Sequence, residues 1–228
     1  MKPLRILLAA LAAGVFLSPA PAVQAAPAKD WADTVTRTPE GAHMLGNPAA
    51  KNRLVEYVSY TCPHCAHFVA EGTAPIKSGW VANGALAVEV RNLIRDRFDL
   101  TAALLARCGG AARFFGNHEA LFANQEAWFD KAKGFQSALP ANAAQSAIMA
   151  EIADKTGLTA LMQKRGLTPA QSHACLADAG ALDQVLAMTK RGLEQDGVQG
   201  TPSFLVNGKM TPAHDWAGLR PLLPAPAN

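Results

Sequence analysis

A short apolar run that ends in two cysteines constrains this chain more than any other feature. Residues 54–59, Leu-Val-Glu-Tyr-Val-Ser, are rich in the β-branched and aromatic types that favour strands. Tyr60-Thr61 leads on to Cys62-Pro63-His64-Cys65 and to a stretch, 64–81, that reads as a helix. Pro63 suits the first helical position, where the N–H it lacks has no intrahelical partner anyway. Cys62 then falls at the helix N-terminus, with Cys65 one turn along the same face. Cysteines so placed have Cα atoms inside the ~4.4–6.8 Å window of a disulfide. The pair can open and close with little backbone movement, which makes it a redox site.

Electrostatics point the same way. Free backbone N–H groups and the helix macrodipole put partial positive charge where the Cys62 sulfur lies. Both favour the thiolate, the species that attacks disulfides and departs from mixed ones. His64 can add a hydrogen bond or a charge. Each pKa unit lost corresponds to ~1.4 kcal/mol of preference for the thiolate. A strongly depressed pKa stabilises the reduced form and turns the disulfide into an oxidant.

Other readings of the motif are weaker. A structural bridge three residues long restrains the unfolded chain very little. A zinc site needs two further ligands, and neither Cys108 nor Cys175 has a CxxC partner. Haem attachment requires His where this chain has Ala66.

The start of the chain reads as an address. Lys2 and Arg5 form a basic segment, and residues 6–17 are apolar but fall short of the ~20 needed to span a bilayer. Val23-Gln24-Ala25 offers a cleavage site, so residues 1–25 are expected to be a signal peptide and Ala26 the mature N-terminus. Removing Lys2 and Arg5 takes two from the formal charge of +3 and leaves +1. A nearly neutral chain without basic clusters gives no case for nucleic acid. Export to an oxidising compartment makes disulfide chemistry the expected use of the cysteines.

The expected organisation follows the pattern. Residues 26–40 form an N-terminal arm, with short order at 31–37. Residues 42–46 read as an edge strand, and His43 as a surface residue. In the strand 54–59, Leu54, Glu56 and Val58 share one face. With both faces covered, Glu56 is buried just before the dithiol, where desolvation raises its pKa and lets it relay protons. Residues 86–93 read as a second buried strand. Residues 98–196 are Ala-rich and helical, with segments at 100–108, 111–124, 143–155, 169–177 and 182–195. His118 and His173 are expected to be solvated helix residues. Cys108 and Cys175 lie in this block and, with an even total in an exported chain, are expected to bridge each other; a second redox pair is the other reading. Strand character returns at 200–206, before the hairpin signal Asn207-Gly208, the short strand 209–210 and a closing helix at 216–223. Pro202 should start that strand or lie in a turn, with a cis peptide bond as one solution.

Together, Cys62-Pro63-His64-Cys65, Thr201-Pro202, the 204–208 hairpin and Glu56 resemble the thioredoxin superfamily and, within it, the DsbA-like thiol:disulfide oxidoreductases. The resemblance implies an α/β thioredoxin-like core, a central mixed sheet flanked by helices, formed by residues 41–97 and 197–228 around an inserted all-helical subdomain, 98–196. It implies that Cys62 is the exposed nucleophile, Cys65 the buried resolving thiol, and Thr201 and Pro202 a substrate-binding loop facing them. It implies a periplasmic oxidase acting on reduced or unfolded exported proteins, reoxidised by a DsbB-like membrane partner, with no cofactor beyond the Cys62–Cys65 disulfide and no bound metal. Thr201 before the proline is more similar to isomerases and reductases kept reduced by a membrane donor. The stretch 26–47 is too short for the N-terminal dimerisation module such isomerases carry, and a monomer is expected. A copper- or zinc-binding module built on Cys62, Cys65 and His67 is the alternative of another class.

Overall fold

The computed structural model describes residues 29–225, so the expected leader and cleavage site lie outside the described residues. One mixed sheet runs in the order β1-β2-β4-β3-β5-β6. Its strands are β1 (Val35–Arg37), β2 (His43–Leu45), β3 (Asn52–Val58), β4 (Leu86–Asn92), β5 (Ser203–Val206) and β6 (Lys209–Met210). β3 and β4 are parallel, with Leu54 opposite Val88 and Glu56 opposite Val90, and the other pairs are antiparallel. A parallel pair needs a crossover, and α1 (Pro63–Ile76) supplies it. Pro75 removes one internal bond near its end, and the helix runs on into a wider π-helical turn, Lys77–Val81.

Period-two alternation on β3 divides the core. Leu54 and Val58 join the main cluster with Phe68, Trp80 and Phe204, under α1 and α9 (Trp216–Leu219). Val55 and Tyr57 face the other way, with Leu93, Val198 and Leu205. There α8 (Ala179–Glu194) passes so close that a Cβ on Gly192 would sit 2.8 Å from the Tyr57 ring. Charged residues inside β4 are neutralised on this face. Arg91 bonds Glu89 at 2.7 Å, and Asp196 and the Tyr57 hydroxyl at 2.7 and 3.2 Å.

Between β4 and β5 the chain is helical: α2 (Arg97–Ala106), α3 (Ala111–Ala123), α4 (Gln125–Lys133), α5 (Gln145–Thr156), α6 (Leu158–Lys164), α7 (Pro169–Leu176) and α8. α2 and α8 start about three residues before their apolar pattern does, because Asp96 and Asp178 cap them through side-chain bonds to Phe98 N, Asp99 N and Ala181 N. The closing helix shortens to α9 followed by a 3₁₀ turn, Arg220–Leu222.

Two expectations are corrected. Residues 42–46 are not the edge of the sheet: β2 lies between β1 and β4, and all three of its residues are buried. The edge is β1, three residues long and too short to show alternation. His43 and His118 are not surface residues, being 1% and 3% exposed. His43 stacks on Phe114 with ring centroids 3.9 Å apart, and the Tyr60 hydroxyl lies 2.9 Å from His118 Nδ1. Burial pushes both imidazoles down to about 3, so they are neutral aromatic core residues. His173 is partly exposed and lies 3.0 Å from Asp154.

Candidate active site

β3 ends at Val58, and the next four residues carry the chain to the tip of α1. Cys62 is the cap residue, with extended backbone, and Pro63 follows at the first helical position. Both cysteines are free thiols and both are buried, so Cys62 is not the exposed thiol that was expected. Cys62 is only 3% exposed and Cys65 not at all, while Pro63 and His64 form the exposed tip. The reason is the opposing loop. Thr201–Pro202 is a cis peptide, and the Cys62 thiol donates to Thr201 O at 3.2 Å. A hydrogen bond from the Cys65 thiol, first of all, holds Cys62 down to about 5 against partial burial; the Thr201 side chain and the backbone N–H groups of Cys65 and His64 assist. Thr201 Oγ1 is buried and has no partner of good hydrogen-bond geometry. Burial, and then the bond to Cys62, pushes Cys65 well above the ordinary thiol range. The two thiols are driven apart, one towards the anion and one towards the neutral form.

A polar cradle fixes this loop. Asp99, fully buried, accepts from Ser59 Oγ at 2.6 Å, Tyr60 N at 2.7 Å and Arg95 N at 3.0 Å. Burial raises it to about 7 in spite of those bonds. Thr61 donates to Asp96, the cap of α2, at 2.8 Å. From the other side Gln125 Nε2 donates to Tyr60 O and Cys62 O at 2.8 and 2.9 Å. Sequence reasoning missed these groups. The Asp96-x-x-Asp99 spacing is a capping signal that flags the first two, whereas nothing local marks Gln125.

Glu56 is 5% exposed on the α1 side of the sheet, and burial raises it to about 8. It lines a small cavity with Thr73, Lys77 and His118, and no hydrogen bond joins it to either cysteine. Cys108 and Cys175 are joined to each other, S–S 2.02 Å, across 67 residues. His67 is exposed on α1 and pairs with Glu71 at 3.2 Å. Among the described residues no three His, Cys, Asp or Glu side chains gather as a metal site, and no helix is long and apolar enough to cross a membrane.

Comparison with known proteins agrees with this geometry. A thioredoxin family profile matches residues 38–225. A crystal structure described as a protein-disulfide isomerase from Novosphingobium aromaticivorans is 39% identical, with a TM-score of 0.74 over 79% of this chain and 94% of that one. Wolbachia pipientis alpha-DsbA1 shares the fold, with a TM-score of 0.61 at 21% identity over 79% of this chain and 88% of that one. A Rickettsia bellii protein, named for an inferred protein-disulfide oxidoreductase activity, is 31% identical over 75% of this chain and 59% of its own length. The chain thus spans less than two-thirds of such relatives.

Proposed function

This chain belongs to the thioredoxin family, and on that premise we propose that it is a periplasmic dithiol oxidase that introduces disulfides into exported proteins. One observation carries the reading: Cys62 is held towards the thiolate at a helix tip while Cys65, one turn away, is held neutral. Such a pair favours its reduced form, so its disulfide is readily given up.

In the oxidised protein a client thiolate attacks Cys62 Sγ, the Cys62–Cys65 bond breaks, and Cys65 leaves with the electron pair. A proton must then reach Cys65, whose neutral form its surroundings favour, and Glu56, raised to about 8, is the acid on that face able to relay one. A second client thiolate attacks its partner sulfur in the mixed disulfide and displaces Cys62 as a thiolate. The client loses two electrons and two protons, and the dithiol gains the electrons. No cofactor enters beyond the dithiol itself, and a DsbB-like membrane partner restores the disulfide. The Thr201–Pro202 loop suits an extended client chain adding as a strand. The basic and apolar N-terminal residues support delivery to the periplasm.

Thr201 and the 39% identical structure described as an isomerase support a second reading, an isomerase or reductase kept reduced by a membrane donor. Equilibrium of the dithiol with glutathione separates the two. A potential near about −120 mV is the expected result, and one near about −270 mV overturns the oxidase assignment.

A further inference from the structure

Away from the dithiol, a cavity of about 200 Å³ opens between the β1–β2 hairpin, the end of α2 and the starts of α3 and α8. That is several times the ~30 Å³ share of one water. Its walls carry charge that the redox reading does not use. Arg107, 8% exposed, donates to Gly41 O at 2.6 Å and to Gln184 Oε1 at 2.8 Å. Arg37 donates to the same Oε1 at 2.6 Å. Two guanidiniums therefore share one neutral amide oxygen, and among the described residues neither forms an ion pair. Burial, and then repulsion from Arg37, brings Arg107 down to about 10. Asp178 also lines the cavity and its charge partly offsets these cations, raising Arg107, while its Oδ1 accepts from Ala181 N at 3.0 Å.

Two further features point to a ligand rather than to a solvated cluster. α3 starts at Gly110, φ +77°, without a side-chain cap; Arg113 N bonds back to Gly110 O at 3.1 Å, which leaves the N–H groups of Ala111 and Ala112 for another acceptor. His43, 1% exposed, lines the same cavity with its Nδ1 lacking any partner. A buried polar atom without a partner is costly. Two forked cations, an imidazole nitrogen and an uncapped helix start form a donor set that a charged oxygen ligand satisfies at once.

We propose that this cavity binds a small oxyanion of the phosphate, sulfate or free carboxylate type, held by Arg37, Arg107 and His43. Bound there, the anion ties the edge hairpin to the end of α2 and the start of α8, and by linkage it stabilises the folded chain.

Thermal unfolding of the full chain tests this, with phosphate, sulfate and acetate each titrated against chloride at equal ionic strength. The expected result is a midpoint that rises with at least one oxyanion and not with chloride. In Arg37→Gln and Arg107→Gln the apparent Kd should weaken at least about tenfold, the loss of one charge-assisted contact, with thiol–disulfide exchange unchanged. The tightest of the three anions identifies the source, a free inorganic anion or a carboxylate. Sulfate also stabilises proteins by exclusion from their surface, and the variants separate that effect from binding. No rise above chloride, or an equal rise in wild type and Arg37→Gln, overturns the proposal. Arg37 is exposed at the end of the edge strand, so its variant decides the matter even where Arg107→Gln fails to fold.

Discussion

The molecule holds two cysteine pairs, and they differ in almost every physical respect. Cys62 and Cys65 lie in one helical turn, are free thiols, and are driven in opposite directions, Cys62 down chiefly by the thiol–thiol bond and Cys65 up chiefly by burial. Cys108 and Cys175 are 67 residues apart and bonded, joining the end of α2 to α7. In the chain-entropy picture a crosslink stabilises through the loop it closes, so the close pair has almost nothing to offer and the distant pair a great deal. Its oxidation state is therefore governed by local electrostatics in the first case and by topology in the second. Two pairs of one residue type divide into a free pair and a bonded one without any difference in the side chain itself.

The sharpest way to break that comparison is to remove one sulfur from each pair. Cys62→Ser should reduce thiol oxidation of a model peptide to the uncatalysed rate, with little change in the urea midpoint; activity retained in that variant rules out Cys62 as the nucleophile. Cys108→Ser with Cys175→Ser should do the reverse, costing about 4 kcal/mol of stability on the loop-entropy model while the purified protein still turns over. A loss under 1 kcal/mol in denaturant titration would mean that the block between β4 and β5 holds itself without the tie. Gln125→Ala should cost about 1–3 kcal/mol, because Tyr60 O and Cys62 O lose a buried donor; it should also slow exchange, and stopped-flow rates identical to wild type would confine Gln125 to a purely structural part.

Acidity sharpens the contrast further. The folded value for Cys62, about 5, lies below its ordinary value of 9.0, so its contribution is complete above the ordinary thiol range and is lost as pH falls towards about 5. Cys65 is shifted the other way and acts only above about 9. Oxidised protein has neither titration. The urea midpoint of the reduced form should therefore rise relative to the oxidised form between about pH 5 and 9, and parallel curves would remove the thiolate from the account. Glu56 has the opposite sign. Raised from 4.5 to about 8, it supports folding below its ordinary range and withdraws that support as pH climbs through about 8. Glu56→Gln should flatten this slope in both redox forms and alter the pH dependence of Cys65 release; an unchanged rate profile would leave Glu56 without a part in proton transfer.

The fold was legible where a signal is local. The Cys62-Pro63-His64-Cys65 turn between a strand and a helix, the apolar β4 and the Asn207-Gly208 hairpin each fit inside about ten residues, and the thioredoxin-like arrangement came from the family resemblance that such motifs carry. What escaped is held by contacts distant in sequence. β2 is interior only because β1 folds back on it, and His118 is buried because Phe114, Phe122 and Tyr60 surround it. Gln125 reaches the redox loop from 63 residues away. Histidine spacing and polar composition carry no record of such encounters, whereas the caps Asp96 and Asp178 were visible in principle and would have moved two helix starts.

The Gln125 amide spans two parts of the molecule that the sequence orders as separate episodes. Because one nitrogen grips the carbonyls of Tyr60 and Cys62 from the α3–α4 junction, the backbone of Cys62 inherits its position from helices that contribute no sulfur. Drift accumulating at that junction would reach the dithiol as a change of aim, so the cover over the fold also serves as its gunsight.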